Sequence, residues 1–101
     1  MNKYLQLAED IQEAKRDAWE MVSNMADDGM ANMDACVIHL PRWRIDKINA
    51  NSELVFKKSQ GGEFFISGSF GCANRNAEYQ LQVSRNLSAR GYDTYVFYRL
   101  D

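Results

Sequence analysis

One proline, one histidine and two cysteines are all that this 101-residue sequence holds of those three residue types. Each scarcity removes a class of protein. With so little proline there is no proline-rich linker, and neither an internal repeat nor a low-complexity run divides the chain, so residues 1–101 are expected to form a single domain. No apolar run approaches the ~20 residues a membrane-spanning helix needs, so no membrane association is expected. The start, Met1-Asn2-Lys3-Tyr4-Leu5-Gln6, turns acidic by Glu9 and Asp10 and carries no apolar leader core. Together with the two cysteines this predicts a reducing, cytoplasmic setting and free thiols.

The soft metal ligands are Cys36, His39 and Cys72. A structural zinc site wants four, usually in close pairs. Cys36-x-x-His39 is one loose pair, and on a strand residues three apart point to opposite faces. Neither a metal nor a cofactor is therefore expected. Cys72 lies near a helix start, where a thiolate is favoured, and His39 is the sole candidate base. No catalytic signature surrounds either, so the chain is read as a non-enzyme. Asn86-Leu87-Ser88 matches the glycosylation sequon but falls inside a helix of a chain without an export signal.

What is present suits a folded globular chain: 46% hydrophobic and 26% charged residues. The net charge of −2 argues against a molecule that grips nucleic acid through its overall field. The charge is uneven, at −5 over residues 1–36 and +3 over the remainder. Such a dipole can orient a charged partner, or simply draw the two parts together.

Tyr4, Leu7, Ile11, Ala14, Ala18, Met21 and Met25 recur at alternating spacings of three and four, an apolar stripe over three heptads that Ala8 and Val22 widen. They predict a helix capped by Asn2 and ending by Gly29. Ala35–Leu40 is short, apolar and β-branched and reads as a strand, stopped by Pro41. Arg42–Ile48 reads as a second extended piece. Glu53–Lys58 and Glu63–Ser67 read as a hairpin about Ser59-Gln60-Gly61-Gly62. A helix capped by Asn74 should run to about Ala89, with Tyr79, Val83 and Leu87 on one face and Gly91 at its end. Tyr92–Leu100 is strand-like with aromatics on both sides, which predicts a strand inside the sheet. The expected fold is α+β, in the order α-β-β-β-α-β: a small antiparallel meander of three to four strands, packed by an N-terminal and a second helix.

Three surfaces are candidates for function. Glu9, Glu13, Asp17, Glu20, Asp27 and Asp28 form an acidic helix face suited to a basic protein partner. Gly68-Ser69-Phe70-Gly71 joins a strand to a helix, where the backbone N–H groups of Gly68, Ser69 and Gly71, with Arg75 just inside the helix, are a candidate anion site. Arg42, Trp43, Arg44 and Lys47, with Lys57 and Lys58, form a basic cluster around an aromatic, a candidate nucleic-acid contact. The long helix stripe, rich in methionine toward Met25, Met30 and Met33, is also a candidate homodimer seam.

The α-β-β-β-α run resembles that of double-stranded RNA-binding domains, with Gly68 and Gly71 where those domains have glycines before their second helix. Their second helix opens on a lysine cluster that grips phosphate. This one opens Cys72-Ala73-Asn74-Arg75-Asn76, so neither site residues nor RNA binding carry over. Size, charge and element order also resemble those of some small phage-encoded inhibitors, certain anti-CRISPR proteins among them. That resemblance implies a phage or mobile-element accessory protein that occupies a host protein surface. The expected function is thus protein binding without catalysis; the alternative is a nucleotide or nucleic-acid module built on the Gly68–Gly71 loop and the Arg42–Lys47 cluster.

Overall fold

The computed structural model describes residues 2–26, 34–50, 56–58, 61–66 and 73–98. Asp27, Asp28, Met30, Met33, Gly68, Ser69, Gly71 and Cys72 lie outside them. The elements are α1 (Lys3–Val22), β1 (Ala35–His39), α2 (Ile45–Ala50), β2 (Phe56–Lys58), β3 (Glu63–Ile66), α3 (Ala73–Ala89) and β4 (Asp93–Phe97). This is the α+β domain expected, with its order α-β-β-β-α-β interrupted only by the six-residue α2.

Asn2 caps α1 as its residue type predicts, its side-chain oxygen accepting from Tyr4 N at 2.8 Å. Tyr4, Leu7, Ile11, Ala14 and Ala18 are buried, but the next buried residue is Val22, while Met21 is 62% exposed. The physical reason is helical pitch. A strict 3.5-residue repeat drifts by about 20° per heptad on a straight helix, so by the third heptad the inward position has moved on by one residue. The helix also stops at Val22, short of Gly29.

Arg42–Ile48 is not extended. Arg42 takes a left-handed φ of 71°, and the Arg44 carbonyl then accepts from Lys47 N and Ile48 N, opening α2. Ile48 is drawn into the core by that turn of helix. Asn74 is already inside α3, which begins at Ala73. At the far end, Gly91 adopts φ 95°, and the N–H groups of Gly91 and Tyr92 close on the carbonyls of Ser88 and Leu87, as a helix end with a left-handed glycine requires.

The sheet is four-stranded and antiparallel in the order β2-β3-β1-β4. It is not a meander: β1 lies between β3 and β4, and β2 is an edge. The chain after β1 crosses over α2 before the β2–β3 hairpin, and α3 returns it to the far side of β1, which is the split βαβ pattern. Among the described strands β4 is therefore the other edge, not an interior strand. The hairpin turn is pinned at Gly62, where φ is 80° and a Cβ would come within 3.0 Å of the Pro41 backbone. Leu40 N donates to the Gly62 carbonyl at 2.8 Å beside it.

Only one alternation set of the strands joins the main core. Cys36, Ile38, Leu40, Phe64 and Ile66 cluster with Leu7, Ile11, Ala14, Ala18 and Val22 of α1 and with Tyr79, Val83 and Leu87 of α3. Both long helices therefore serve the same side of the sheet, with α3 packed on β1 and β4 and α1 packed on α3. A buried amide relay locks α3 to β1: Cys36 N donates to Gln80 Oε1 at 3.0 Å, Gln80 Nε2 to Asn76 Oδ1 at 3.1 Å, and Asn76 Nδ2 to the Asp34 carbonyl at 3.3 Å. Gln80→Leu strands the Cys36 N–H in an apolar interior and is expected to cost about 1–3 kcal/mol. Chemical denaturation checks it; a loss well under 0.5 kcal/mol would show the relay to be dispensable.

Candidate functional site

The other alternation set forms the outer face of the sheet. It comprises Ala35, Val37 and His39 on β1, Glu63 and Phe65 on β3, Asp93, Tyr95 and Phe97 on β4, and by register Lys57 on β2, as the pairings Val37↔Phe65, Val37↔Tyr95, Ala35↔Phe97 and Lys57↔Phe65 require. Val37 is 0% exposed, yet it is not part of the core cluster that the helices cover. Its cover is aromatic. Phe65 and Phe97, from strands that do not touch, meet edge-to-face at 5.9 Å above β1, where the small Ala35 leaves room, and Tyr95 flanks them.

Tyr95 is 44% exposed and Phe97 43%, with Tyr98 beyond them more exposed still. Polar contacts hold the rim. The Tyr95 hydroxyl donates to Glu63 Oε2 at 2.6 Å, which pushes the phenol pKa up because the bond favours the protonated form. His39 Nδ1 lies 3.4 Å from Asp93 Oδ2, and its Nε2 lies 3.2 Å from the Gly61 carbonyl. The patch is thus a rigid aromatic centre with a partly satisfied acidic rim, the composition favoured at protein interfaces. Beside it, β4 pairs with β1 alone among the described strands. Residues 93–97 contain no lysine, proline or bulge of the kind that shields an edge.

The predicted sites fare differently. On the acidic helix face Glu9 and Glu20 are exposed. Glu13 and Asp17 turn toward Arg90 at the end of α3, at 3.1 and 4.0 Å, and the Tyr92 hydroxyl donates to neighbouring Asp10 at 2.6 Å. Part of the charge asymmetry is therefore spent on docking one helix against the other. Within the basic cluster, Trp43 is used inside the protein. It packs against the core, meets Tyr4 edge-on at 5.1 Å and has the Lys3 ammonium 4.4 Å above its ring. Arg44 is bidentate to Asp46 at 3.2 and 3.0 Å. Arg42 and Lys47 are exposed. Arg75 sits over the Trp19 ring at 5.4 Å. Gly68, Ser69, Gly71, Asp27 and Asp28 lie outside the described residues.

Cys36 faces the core and His39 the outer face, so the sheet separates them. Burial pushes the Cys36 thiol up to about 12, against the thiolate that nucleophilic chemistry needs. No group of three metal-ligating side chains occurs among the described residues, and no described helix is long and apolar enough to cross a membrane.

The aromatic face was missed in the sequence because its residues come from three separate strands. Its one legible trace was the Asp93, Tyr95, Phe97 alternation. Comparison with protein-family models, with curated proteins and with solved structures finds no match for this chain.

Proposed function

We propose that this chain is a small protein-binding domain that acts by occupying a partner's surface, in the manner of an accessory or inhibitory protein such as phages and mobile elements carry. The observation that supports it is the outer sheet face: Phe65, Tyr95 and Phe97 form a preformed aromatic patch that no described helix crosses, alongside a strand that pairs with β1 alone among the described strands. Interface energy concentrates in such rigid aromatic groups. An open aromatic sheet face can also stack nucleic-acid bases. Here the outer face mixes charge: Glu63 and Asp93 lie beside the rings, and the register sets Lys57 opposite Phe65, so the face is not the uniformly basic one that phosphate binding favours.

The test compares three forms of the chain in co-purification from host lysate: wild type, Tyr95→Glu with Phe97→Glu, and Glu9→Lys with Glu20→Lys. Both aromatic side chains are more than two-fifths exposed, but they also cover Val37, so circular dichroism first establishes that the first double variant is folded. A stoichiometric protein should be retained by the wild type and the helix variant. It should be lost by the sheet-face variant, whose affinity falls by about 100-fold or more if both rings act as anchors. Retention by the sheet-face variant, with loss by the helix variant, would move the site to the acidic helix.

A further inference from the structure

We infer that β4 is a seam between two copies of this chain, which pair antiparallel about Val96 so that their sheets run on as one. The inference goes beyond the protein-binding reading and does not rest on it. β4 pairs with β1 alone among the described strands, so alternate N–H and C=O groups of Asp93–Phe97 point away from β1 with no described strand to meet them. A two-fold contact along a strand asks that its sequence complement itself when read backward. Residues 93–99, Asp-Thr-Tyr-Val-Phe-Tyr-Arg, meet that demand. Tyr95 and Phe97 stand one position either side of Val96, and Asp93 and Arg99 stand three positions either side. Ring thus answers ring and cation answers carboxylate, and both halves of the match are written in the one chain.

An antiparallel pair about a two-fold axis normal to the sheet keeps the same face up in both copies. It sets residues equally far from the centre opposite one another. About Val96, the outer face carries Tyr95 against the partner's Phe97 on each side of the axis. These rings are half-exposed in one copy and adjoin Phe65, so the pairing carries the aromatic row across the seam. Arg99 enters by its place in the sequence, two residues past Phe97, and falls opposite the partner's Asp93. That carboxylate is 77% exposed, and its His39 contact at 3.4 Å leaves acceptor capacity for a guanidinium. On the helix side Val96 meets the partner's Val96. The other registers centred within β4 lack this match. Centred on Thr94 or Tyr95, Asp93 faces a ring, Tyr95 or Phe97 of the partner subunit. Centred on Asp93 or Phe97, it faces another aspartate, Asp93 or Asp101 of the partner subunit, and like charges directly opposite repel. The Val96 register alone gives each Asp93 a cation.

The test uses the full chain and leaves both rings in place. Three variants are compared with the wild type: Asp93→Arg, Arg99→Asp, and the two exchanges together, each first shown to be folded by circular dichroism. Sedimentation and light scattering measure the dimer. The wild type is expected to dimerise as its concentration rises, and exchange of alternate β4 amides should slow with it by about tenfold or more. Each single exchange sets like charges opposite at both ends of the seam and should weaken the dimer by about tenfold or more. The double exchange should restore it. Mixing the two single variants should also restore it, since each then meets its opposite in the other. A wild type that stays monomeric up to about 1 mM would overturn the inference. So would a dimer indifferent to the single exchanges or not restored by mixing, because its seam would then lie elsewhere. Protection of β4 that appears only when another protein is added, with the wild type alone monomeric, assigns the edge to that protein and overturns the inference too. A dimer that retains no other protein leaves the seam standing while the protein-binding reading falls. A monomer whose captured partner is lost with the Tyr95 and Phe97 variant does the reverse.

Discussion

Ala18→Glu is expected to unfold the chain. Ala18 is fully buried within the core shared by α1 and α3. Nearby, Asn86 Nδ2 of α3 donates to the Ala14 carbonyl at 3.1 Å, which shows how closely α3 approaches the α1 backbone. A glutamate there must displace packed atoms and bury a charge with no partner. Losses of about 4 kcal/mol or more follow from that combination, against a total stability of about 5–15 kcal/mol for a domain of this kind. Circular dichroism and light scattering read the outcome. If the stripe were instead a seam between two copies, the variant would remain folded and dissociate to a monomer. Ala18→Ser provides the graded control: it adds one hydroxyl at the same place and is expected to destabilise by about 1 kcal/mol while preserving the fold.

Alkaline pH should weaken the fold from about pH 9 upward, with Cys36 as the first cause. Burial, outweighing a bond from Ser84 and the nearby Lys15 charge, moves this thiol from 9.0 to about 12. Between those values the folded chain keeps a proton that the unfolded chain has released. The folded state therefore binds more protons, and stability falls as pH rises, by about 1.4 kcal/mol per pH unit for one such group. Below that window the contribution is fully present. Tyr79 and Tyr92, whose hydroxyls burial also pushes up, add to the loss at still higher pH. Lys15 opposes it, because desolvation lowers its pKa and its folded form gives up a proton before the unfolded one does. Urea unfolding at about pH 8, 9, 10 and 11 measures the slope; Cys36→Ala should flatten its first part. A wild-type stability that stays level across that range would refute the assignment.

The two long helices and β1 are legible because each carries its own signal. A helix with an apolar stripe from Tyr4 to Val22 and an asparagine cap, a helix ending on Arg90-Gly91, and a β-branched run at Ala35–His39 are local facts of side-chain spacing. Arg42–Ile48 was misread for the complementary reason. Alternating large and charged residues suit either a strand or a short helix, and the choice was made by Arg42 turning left-handed and by the core taking Ile48.

Aromatic content marked β4 as a strand, but its place in the sheet did not follow. Tyr95 and Phe97 on one side and Val96 on the other look the same in an interior strand as in an edge strand with an open face. Composition and spacing determined that this chain folds as a small α+β domain, where its two long helices begin or end, and which residues could face inward. Only the tertiary structure decided that β1 lies between β3 and β4, which side of the sheet the helices cover, and that Phe65 and Phe97 meet above Val37. Periodicity is a property of neighbours along the chain. Strand order and the covered face are settled by contacts among residues dozens of positions apart, and those contacts made this surface.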